Sequence, residues 1–423
     1  MTLSWVQIFR LGLVQACLGA IVVLMTSTLN RLMVVELSLP VVLPGLLVAL
    51  HYGVQITRPN WGHLADQGGN RTRWIIAGMG LLALGGLGAA LAIPLLETHF
   101  GAGLALSVIA YAVIGLGVGA SGTSLLALLA TATAEHRRPA AATITWLMMI
   151  AGIALTAITA GKFLDPYSHA RLLTVVAIIC AGAVALTTIA VWGIERRVIA
   201  RPAPAPQRFR DGIAEIWADS RARNFTFFVF LSMTAYFMQE LILEPYAGLV
   251  FGYTPGQSTQ MSGAQNGGVF LGMVLVGVAA TGLRIGSLRA WVVAGCMGSA
   301  LTLVAIAGAT FWMLPLVLLV VALGFFNGMF AVAAIGSMMQ LAGEGRDKRE
   351  GTRVGLWGAS QAIAAGFGGL TGAALVDIAR SLLPVADAFG AVFLFQAIIF
   401  IASAALAARI MSPRPRVLMV PGE

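Results

Sequence analysis

Four ionisable residues interrupt long apolar stretches of the sequence, in two separate places. Arg31 and Glu36 follow the first apolar stretch, whereas Glu240 and Glu244 stand four residues apart and share one face of a helix. Inside a membrane such residues are functional candidates, because burying a charge is costly. Arg31 could pair locally with Glu36, or reach one of the two later glutamates and close one face of the protein. A role in binding a proton or a substrate is the third alternative.

His51 is the only one of the five histidines that lies inside an apolar stretch. A neutral imidazole can ligate a metal ion. Gln55 lies about one helical turn further along, where its amide could orient a ligand. The alternative is a histidine that hydrogen-bonds to another helix, since such polar contacts hold helices together in membranes.

The composition predicts an all-α integral membrane protein. The chain has 423 residues, of which 59% are hydrophobic and 10% charged, and its mean hydropathy is +0.90. Soluble proteins are about 45–50% apolar. In lipid only helical bundles and closed barrels satisfy their own backbone hydrogen bonds. The apolar stretches are about 20 residues long, as helices require, and the roughly 10-residue alternating segments of a barrel are not found.

The apolar stretches predict twelve transmembrane helices. The predicted spans are 8–29, 40–57, 74–95, 104–131, 142–161, 171–193, 224–243, 263–281, 290–308, 313–341, 354–376 and 389–411. If both termini are cytoplasmic, all but four of the 26 lysines and arginines fall on the cytoplasmic side. The exceptions are Arg31, Lys162, Arg171 and Arg380. The net charge of +9 therefore reflects cytoplasmic loops, so membrane lipid is an expected partner and nucleic acid is not.

Internal repetition predicts two related halves. The sequence RWIIAGMG from Arg73 resembles AWVVAGCM from Ala290, about half a chain later. A duplicated six-helix unit explains this spacing. We predict an N-terminal six-helix bundle over 1–193, a cytoplasmic basic linker over 194–223, and a C-terminal six-helix bundle with a short tail over 224–423.

The sequence GHLADQGGNRTRW, between the second and third predicted helices, resembles motif A of the major facilitator superfamily. In that superfamily this loop is a conformational latch between the halves. The resemblance assigns gating to Gly62, Leu64, Asp66, Gly69, Arg71 and Arg73. The glycines permit a tight turn, and the arginines keep the loop on the cytoplasmic side. For Asp66 a purely topological and stabilising role is the alternative.

Three further segments resemble the PucC family of photosynthetic bacteria, also called the bacteriochlorophyll delivery family. They are TSTLNRLMVVELSLP, LLVALHYGVQITRPNWGHLAD and MQELILEPYAGLVFGYTPGQSTQMSGAQNGGVFLGM. The resemblance covers nearly the whole chain and implies a major-facilitator-like bundle of two pseudo-symmetric halves in the inner, photosynthetic membrane. It implies a role in assembling light-harvesting antenna complexes. Bacteriochlorophyll or a precursor would be the cargo, and antenna polypeptides or a bacteriochlorophyll-synthesis enzyme would be partners.

With this resemblance, the candidate pigment contacts can be named. His51 could ligate a chlorophyll magnesium, with Gln55 orienting the pigment. Phe325, Phe326 and Asn327, on the tenth predicted helix, could offer a smooth face to a flat macrocycle. Ordinary packing is the alternative for these three residues, as it is for the glycine runs GLGVGASG and GFGGLTG, which let helices approach closely.

Two rival functions remain open from the sequence. The first is a proton-coupled secondary transporter of a small solute, with Glu240 or Glu244 carrying the proton. The second is a pigment-free scaffold for antenna polypeptides or pigment-synthesis enzymes. Catalysis is not expected, because the chain has no P-loop, Rossmann fingerprint, H-E-x-x-H or G-x-S-x-G motif.

Overall fold

The computed structural model describes residues 2–58, 61, 70–134, 137–195, 220–283, 285–343 and 350–410. Over these residues the chain forms twelve main helices and no strand. The helices are α1 Trp5–Glu36, α2 Val42–Val54, α3 Arg71–Thr98, α4 Phe100–Ala132, α5 Arg138–Leu164, α6 His169–Val191, α7 Ser220–Phe251, α8 Pro255–Gly277, α9 Leu288–Ala307, α10 Leu316–Gly343, α11 Glu350–Arg380 and α12 Val385–Ile410. Eleven of them are long and apolar enough to cross a membrane, and α2 is shorter. The predicted all-α membrane bundle is confirmed.

Several helices begin where the sequence offers a capping side chain. Ser4 starts α1 and Thr254 starts α8, each in a capping box with the glutamine three residues later. Ser168 and Ser287 accept hydrogen bonds from the first turns of α6 and α9. α2 is different, because its first residue is preceded by Val41, which has no side chain able to cap it.

Three predicted helix boundaries are wrong. The eighth helix was predicted to begin at residue 263, but α8 begins at Pro255. The other two errors are helix ends, and both arise at polar residues. The first span was predicted to end at residue 29, but α1 continues to Glu36 through two π-helical segments, Leu24–Leu29 and Leu32–Glu36. The seventh was predicted to end at residue 243, but α7 continues through Pro245 to Phe251. The hydropathy pattern treats charged residues as an exit from the bilayer. A helix can continue past them when their side chains find partners inside the protein.

Each half has its own main apolar core, and a few apolar contacts cross between the halves. Residues of α1–α6, with Leu241 of α7, form the first core, which includes the buried side chains of Tyr111 and Ile114. Residues of α7–α12 form most of the second core, in which Phe330 packs edge-on against Phe400. A small third cluster of Ile150, Val269 and Met273 joins α5 to α8. The predicted linker 194–223 falls mainly on residues 196–219, which lie outside the described residues.

The halves meet where α2 packs on α11 and α5 packs on α8. The halves approach closely at Gly161 and Gly256, where a Cβ on Gly256 would lie 2.3 Å from the carbonyl oxygen of Gly161. Here only glycine allows the two backbones to touch. We call the end of the bundle that carries residues 36–41, 165–168 and 252–254 the distal end. The opposite end, which carries Ser4 and Ile410, is the proximal end.

Candidate functional site

A buried line of polar residues joins the two halves, and we call it the polar seam. Its members are Thr26, Ser27, Thr28, Asn30 and Arg31 on α1, Glu240 and Glu244 on α7, and Ser258, Thr259 and Ser262 on α8. Most of these side chains are buried inside the protein, and the helices that carry them are long and apolar enough to cross a membrane. Since unpaired polar groups are expensive in lipid, each has to find a partner within the protein.

The local form of α1 places the polar seam. The polar run TSTLNR lies across the two π-helical segments, where the helix is wider than an α-helix. The hydroxyl of Thr26 donates to the carbonyl of Val22 at 3.4 Å and so competes with the regular backbone ladder. π-helical turns are frequent at functional sites, because the extra residue redirects the side chains.

Besides the Arg31 contact described below, three hydrogen bonds cross from α1 to the second half. The Ser27 hydroxyl donates to Oε1 of Glu244. The hydroxyls of Thr28 and Thr259 lie 3.1 Å apart. The Asn30 amide donates to the carbonyl of Leu241 at 2.7 Å. These bonds hold α1 against α7 and α8 in the distal part of the bundle.

Glu244 and Glu240 are the acidic members of the polar seam. Glu244 is 2% exposed, its Oε2 atom has no hydrogen-bond partner, and Ser258 and Ser262 lie beside it. Glu240 lies near Thr26 and the ring of Tyr236. Among the described residues, no salt bridge contains either glutamate. Buried carboxyl groups without a direct cationic partner are suited to holding protons.

Arg31 contacts the second half through a backbone carbonyl. Its NH1 group lies 2.5 Å from Oε1 of Glu36, and its NH2 group donates to the carbonyl of Tyr253 at 2.6 Å. Of the partners predicted for Arg31, the structure thus places Glu36 in contact. Arg31 is 2% exposed, and its Nε atom has no partner.

A cleft of about 660 Å³ lies between the halves at the distal end. Its lining residues are Arg31, Glu36, Asp165, Pro166, Tyr167, Gly248, Gly252, Tyr253, Thr254 and Pro255. Burial, together with the nearby carboxylates of Glu36 and Glu97, raises the pKa of Tyr167 to about 12, although the charge of Arg31 acts in the opposite direction. At neutral pH its phenol is therefore protonated, and it lies 3.1 Å from Nδ1 of His169.

His51 belongs to a string of hydrogen bonds along α2. Arg58 donates to Oε1 of Gln55, and the amide nitrogen of Gln55 lies 2.9 Å from Nε2 of His51. This pattern makes Nε2 the acceptor and places the ring proton on Nδ1, which has no partner. A magnesium ligand needs a free nitrogen lone pair. The predicted ligand role of His51 therefore stays a prediction that requires the Gln55 contact to open.

The candidate pigment contacts on α10 pack within the second half. Asn327 is fully buried and accepts a hydrogen bond from the Ser299 hydroxyl at 2.8 Å. Phe326 fills the space over Gly298 of α9, and its ring lies edge-on to that of Phe325 at 5.6 Å. Within the described residues, no hydrogen bond or ring contact joins these three residues to His51.

Only part of the motif A prediction can be located. Gly62, Leu64, Asp66 and Gly69 lie outside the described residues. Arg71 and Arg73 lie in the first turn of α3. The carboxylate of Glu195 accepts the backbone N–H groups of Arg71 and Thr72, both at 2.9 Å, and so caps α3 from within the same half.

Several polar residues that join the two halves were not identified from the sequence. Ser27, Thr28 and Thr259 were not singled out, and neither were Asp165 and Asp377, which contact the opposite half at the distal end. The available signal was the polar run TSTLN inside an apolar span. Among the described residues, no group of histidine, cysteine and acidic side chains could hold a metal ion.

Comparisons with known proteins agree on one family. A profile of the family described as PUCC protein matches residues 28–414. A Rhodobacter capsulatus protein named bacteriochlorophyll synthase 44.5 kDa chain is 65% identical, with 98% of this chain and 97% of that protein covered. Protein PucC of Cereibacter sphaeroides is 29% identical, with 89% and 84% covered. A solved structure of a D-xylose-proton symporter shares the major facilitator fold, with a TM-score of 0.76 at 14% identity over 96% of this chain and 98% of that one.

One prediction is corrected by these comparisons. No catalytic motif was found in the sequence, and no enzyme was expected. The 65% identical relative, however, is named as a chain of a synthase, which links that relative to an enzyme. The motifs that were searched for belong mainly to nucleotide-binding and hydrolytic sites. Their absence therefore carries no conclusion about catalysis inside a membrane.

Proposed function

The chain belongs to the PUCC protein family, and on that premise we propose that it assists the assembly of light-harvesting antenna complexes by binding or delivering bacteriochlorophyll, or a precursor, within the membrane. The observation that carries the proposal is the relative named as a bacteriochlorophyll synthase chain, which matches almost the whole chain. The protein would lie in the inner, photosynthetic membrane, with both termini in the cytoplasm. Its partners would be antenna polypeptides and a bacteriochlorophyll-synthesising enzyme.

The pigment would enter sideways from lipid, between helices of opposite halves. His51 and Gln55 are the polar groups proposed to meet it: Nε2 of His51 would ligate the magnesium once its contact with Gln55 opens, and the unpartnered Nδ1–H would need an acceptor. The motif A loop and the charged residues at the distal end would bias the conformations that accept and release the pigment. The fold by itself does not imply this cargo.

An absorption spectrum tests the proposal. The protein is purified in mild detergent from a pigment-producing host, beside the variants His51→Leu and His169→Leu. His169 is the matched control, because it is a partly exposed histidine at the distal end that pairs with Glu97 at 2.9 Å. We expect stoichiometric pigment in the parent and in His169→Leu, and its loss in His51→Leu.

Two outcomes would contradict the proposal. If the pigment stays bound in His51→Leu, helix α2 does not provide the ligand. If the parent is colourless but still retains antenna polypeptides or a pigment-synthesis enzyme, the pigment-free scaffold is the better account.

A second candidate function rests on the two glutamates of the polar seam. Glu244 is buried and Glu240 is half-buried, and among the described residues neither forms a salt bridge. Such carboxyl groups are candidates for carrying the proton of a proton-coupled secondary transporter of a small solute. Solute uptake into proteoliposomes, driven by a proton gradient and abolished in Glu244→Gln, would favour this function. Uptake that does not depend on the gradient would exclude proton coupling.

A further inference from the structure

Two aspartates at the distal end each cap a helix of the opposite half. Asp377 of α11 accepts the backbone N–H groups of Val41 at 3.0 Å and Val42 at 2.7 Å, at the start of α2. Asp165, which follows α5, accepts the Thr254 hydroxyl at 2.6 Å and the Gly256 N–H at 3.1 Å, at the start of α8. A carboxylate in this position satisfies free N–H groups and interacts favourably with the helix dipole.

The two caps are related by the internal repeat. In each half the aspartate lies near the distal end of the fifth helix, and in each half the capped helix is the second. The first half caps the second, and the second caps the first. A contact that arises twice in pseudo-equivalent positions follows from the way the halves are arranged.

The two capped helices depend on their aspartates to different degrees. α8 keeps a capping box of its own, because Thr254 and Gln257 bond each other's backbone. α2 has no such box, and the N–H of Leu43 bonds the carbonyl of Pro40. Asp377 therefore accepts both N–H groups at the start of α2 that are left without a backbone partner.

We propose that Asp165 and Asp377 form a reciprocal distal latch, which holds the two halves together at this end and weights the equilibrium towards the distally closed conformation. When the halves separate at the distal end, both caps are lost together. α8 then keeps its own capping box, whereas α2 loses the only side-chain cap that the described residues provide. Asp377 thus contributes more to closure than Asp165. This inference concerns conformation and does not depend on the identity of the cargo.

The close contact at Gly256 supports the latch. A Cβ on this residue would lie 2.4 Å from Oδ2 of Asp165 as well as against Gly161. The carboxylate and the backbone of α8 therefore fit together only when residue 256 has no side chain. This makes Gly256→Ala a second way to disturb the latch without changing a charge.

Spin-label distances measured at both ends test the latch in the full-length protein. One pair of labels is placed at Lys162 and Ser381, which are exposed at the distal end in opposite halves, and a second pair at Ala140 and Ile285, exposed at the proximal end. The three native cysteines are buried. Distance distributions are compared for the parent, Asp377→Asn, Asp165→Asn and Gly256→Ala.

Glu195→Gln provides the matched control. Glu195 caps two N–H groups of α3, as Asp377 caps two of α2, but it does so within one half. Losing one helix cap changes the ratio of the distally closed to the distally open conformation by roughly 5-fold, and by no more than about 30-fold. We expect a shift of this order towards longer distal distances in Asp377→Asn, a smaller shift in Asp165→Asn, and none in Glu195→Gln.

The latch is overturned if Asp377→Asn and Gly256→Ala keep the parent distributions. It is also overturned if Glu195→Gln shifts them as much as Asp377→Asn does, since the effect would then reflect general loosening. If Asp377→Asn does not fold, Gly256→Ala and Asp165→Asn decide the question in the same way.

Discussion

Polar contacts within a half and polar contacts between the halves use the same chemistry but constrain different equilibria. Glu195 caps α3 inside the first half, and Ser299 bonds Asn327 inside the second. These bonds are lost only when that half unfolds. The polar seam and the distal aspartates instead join parts that can separate while both halves stay folded. Hydrogen bonds of equal energy therefore stabilise the fold when they lie within a half. When they lie between the halves, they stabilise one conformation.

The largest effect is expected where backbones touch inside one half. In Gly272→Ala the new Cβ would lie 2.0 Å from the carbonyl oxygen of Phe325 on α10. Because that atom belongs to the backbone, we expect a loss of about 3 kcal/mol or more in the free energy of unfolding. Thermal unfolding measures it. Gly267→Ala, on the same helix with open space around residue 267, should leave the melting temperature near that of the parent.

A change in the polar seam should alter conformation more than folding. Ser27→Ala removes the hydroxyl that donates to Glu244 and leaves a buried oxygen without its partner, at a cost of about 1–3 kcal/mol. The distal distance distribution should widen. Ser232→Ala is the control, because that buried hydroxyl donates to Phe228 of its own helix. Equal behaviour of the two variants would remove the distinction between the regions.

The cap on α3 provides the converse case. Glu195→Gln weakens two N–H contacts within the first half, and we expect a loss of about 0.5–2 kcal/mol in unfolding free energy. The melting temperature should fall, while the distributions of the spin-label distances stay unchanged. A clear shift in those distributions would mean that α3 takes part in the conformational change.

The smallest effect is expected at Tyr167 in the distal cleft. Its pKa is raised from 10.0 to about 12, so the folded protein holds the phenol proton more tightly than the unfolded chain. The resulting stabilisation is complete below pH 10 and is lost as the pH rises towards 12. Thermal unfolding across this window should show a steeper decline for the parent than for Tyr167→Phe. Parallel declines would mean that the phenol ionises normally.

The sequence was sufficient for the helices and the family. Apolar length predicted all twelve helices, because lipid leaves a chain few ways to satisfy its backbone. The glycine runs predicted close packing, and Gly117 of α4 and Gly368 of α11 do lie against the backbones of α3 and α7. The resemblance to the PucC family is confirmed by the profile match over residues 28–414.

The candidate site was harder to predict, because its partners are far apart in the chain. Ser27 and Glu244 are separated by 217 positions, and nothing local to either indicates the other. Asp377 was not identified, because the N–H groups that it caps belong to α2 of the other half and nothing near it in the sequence indicates them. The π-helical form of α1 was not predictable either. No simple sequence pattern marks it, because it depends on the contacts that the wider helix makes with other helices. The roles of His51, Gln55 and the motif A residues stay predictions.

The length of α7 connects the conformation of the distal end to the thickness of the surrounding membrane. Its 32 residues span about 48 Å, whereas the hydrocarbon layer of a bilayer is about 30 Å thick. Such a helix must tilt or extend into the headgroup layer, and its fit depends on the thickness of the lipid around it. Membrane thickness would then act on the same equilibrium as the two caps. The lipid composition of the host membrane would thereby become one of the factors that set the resting conformation.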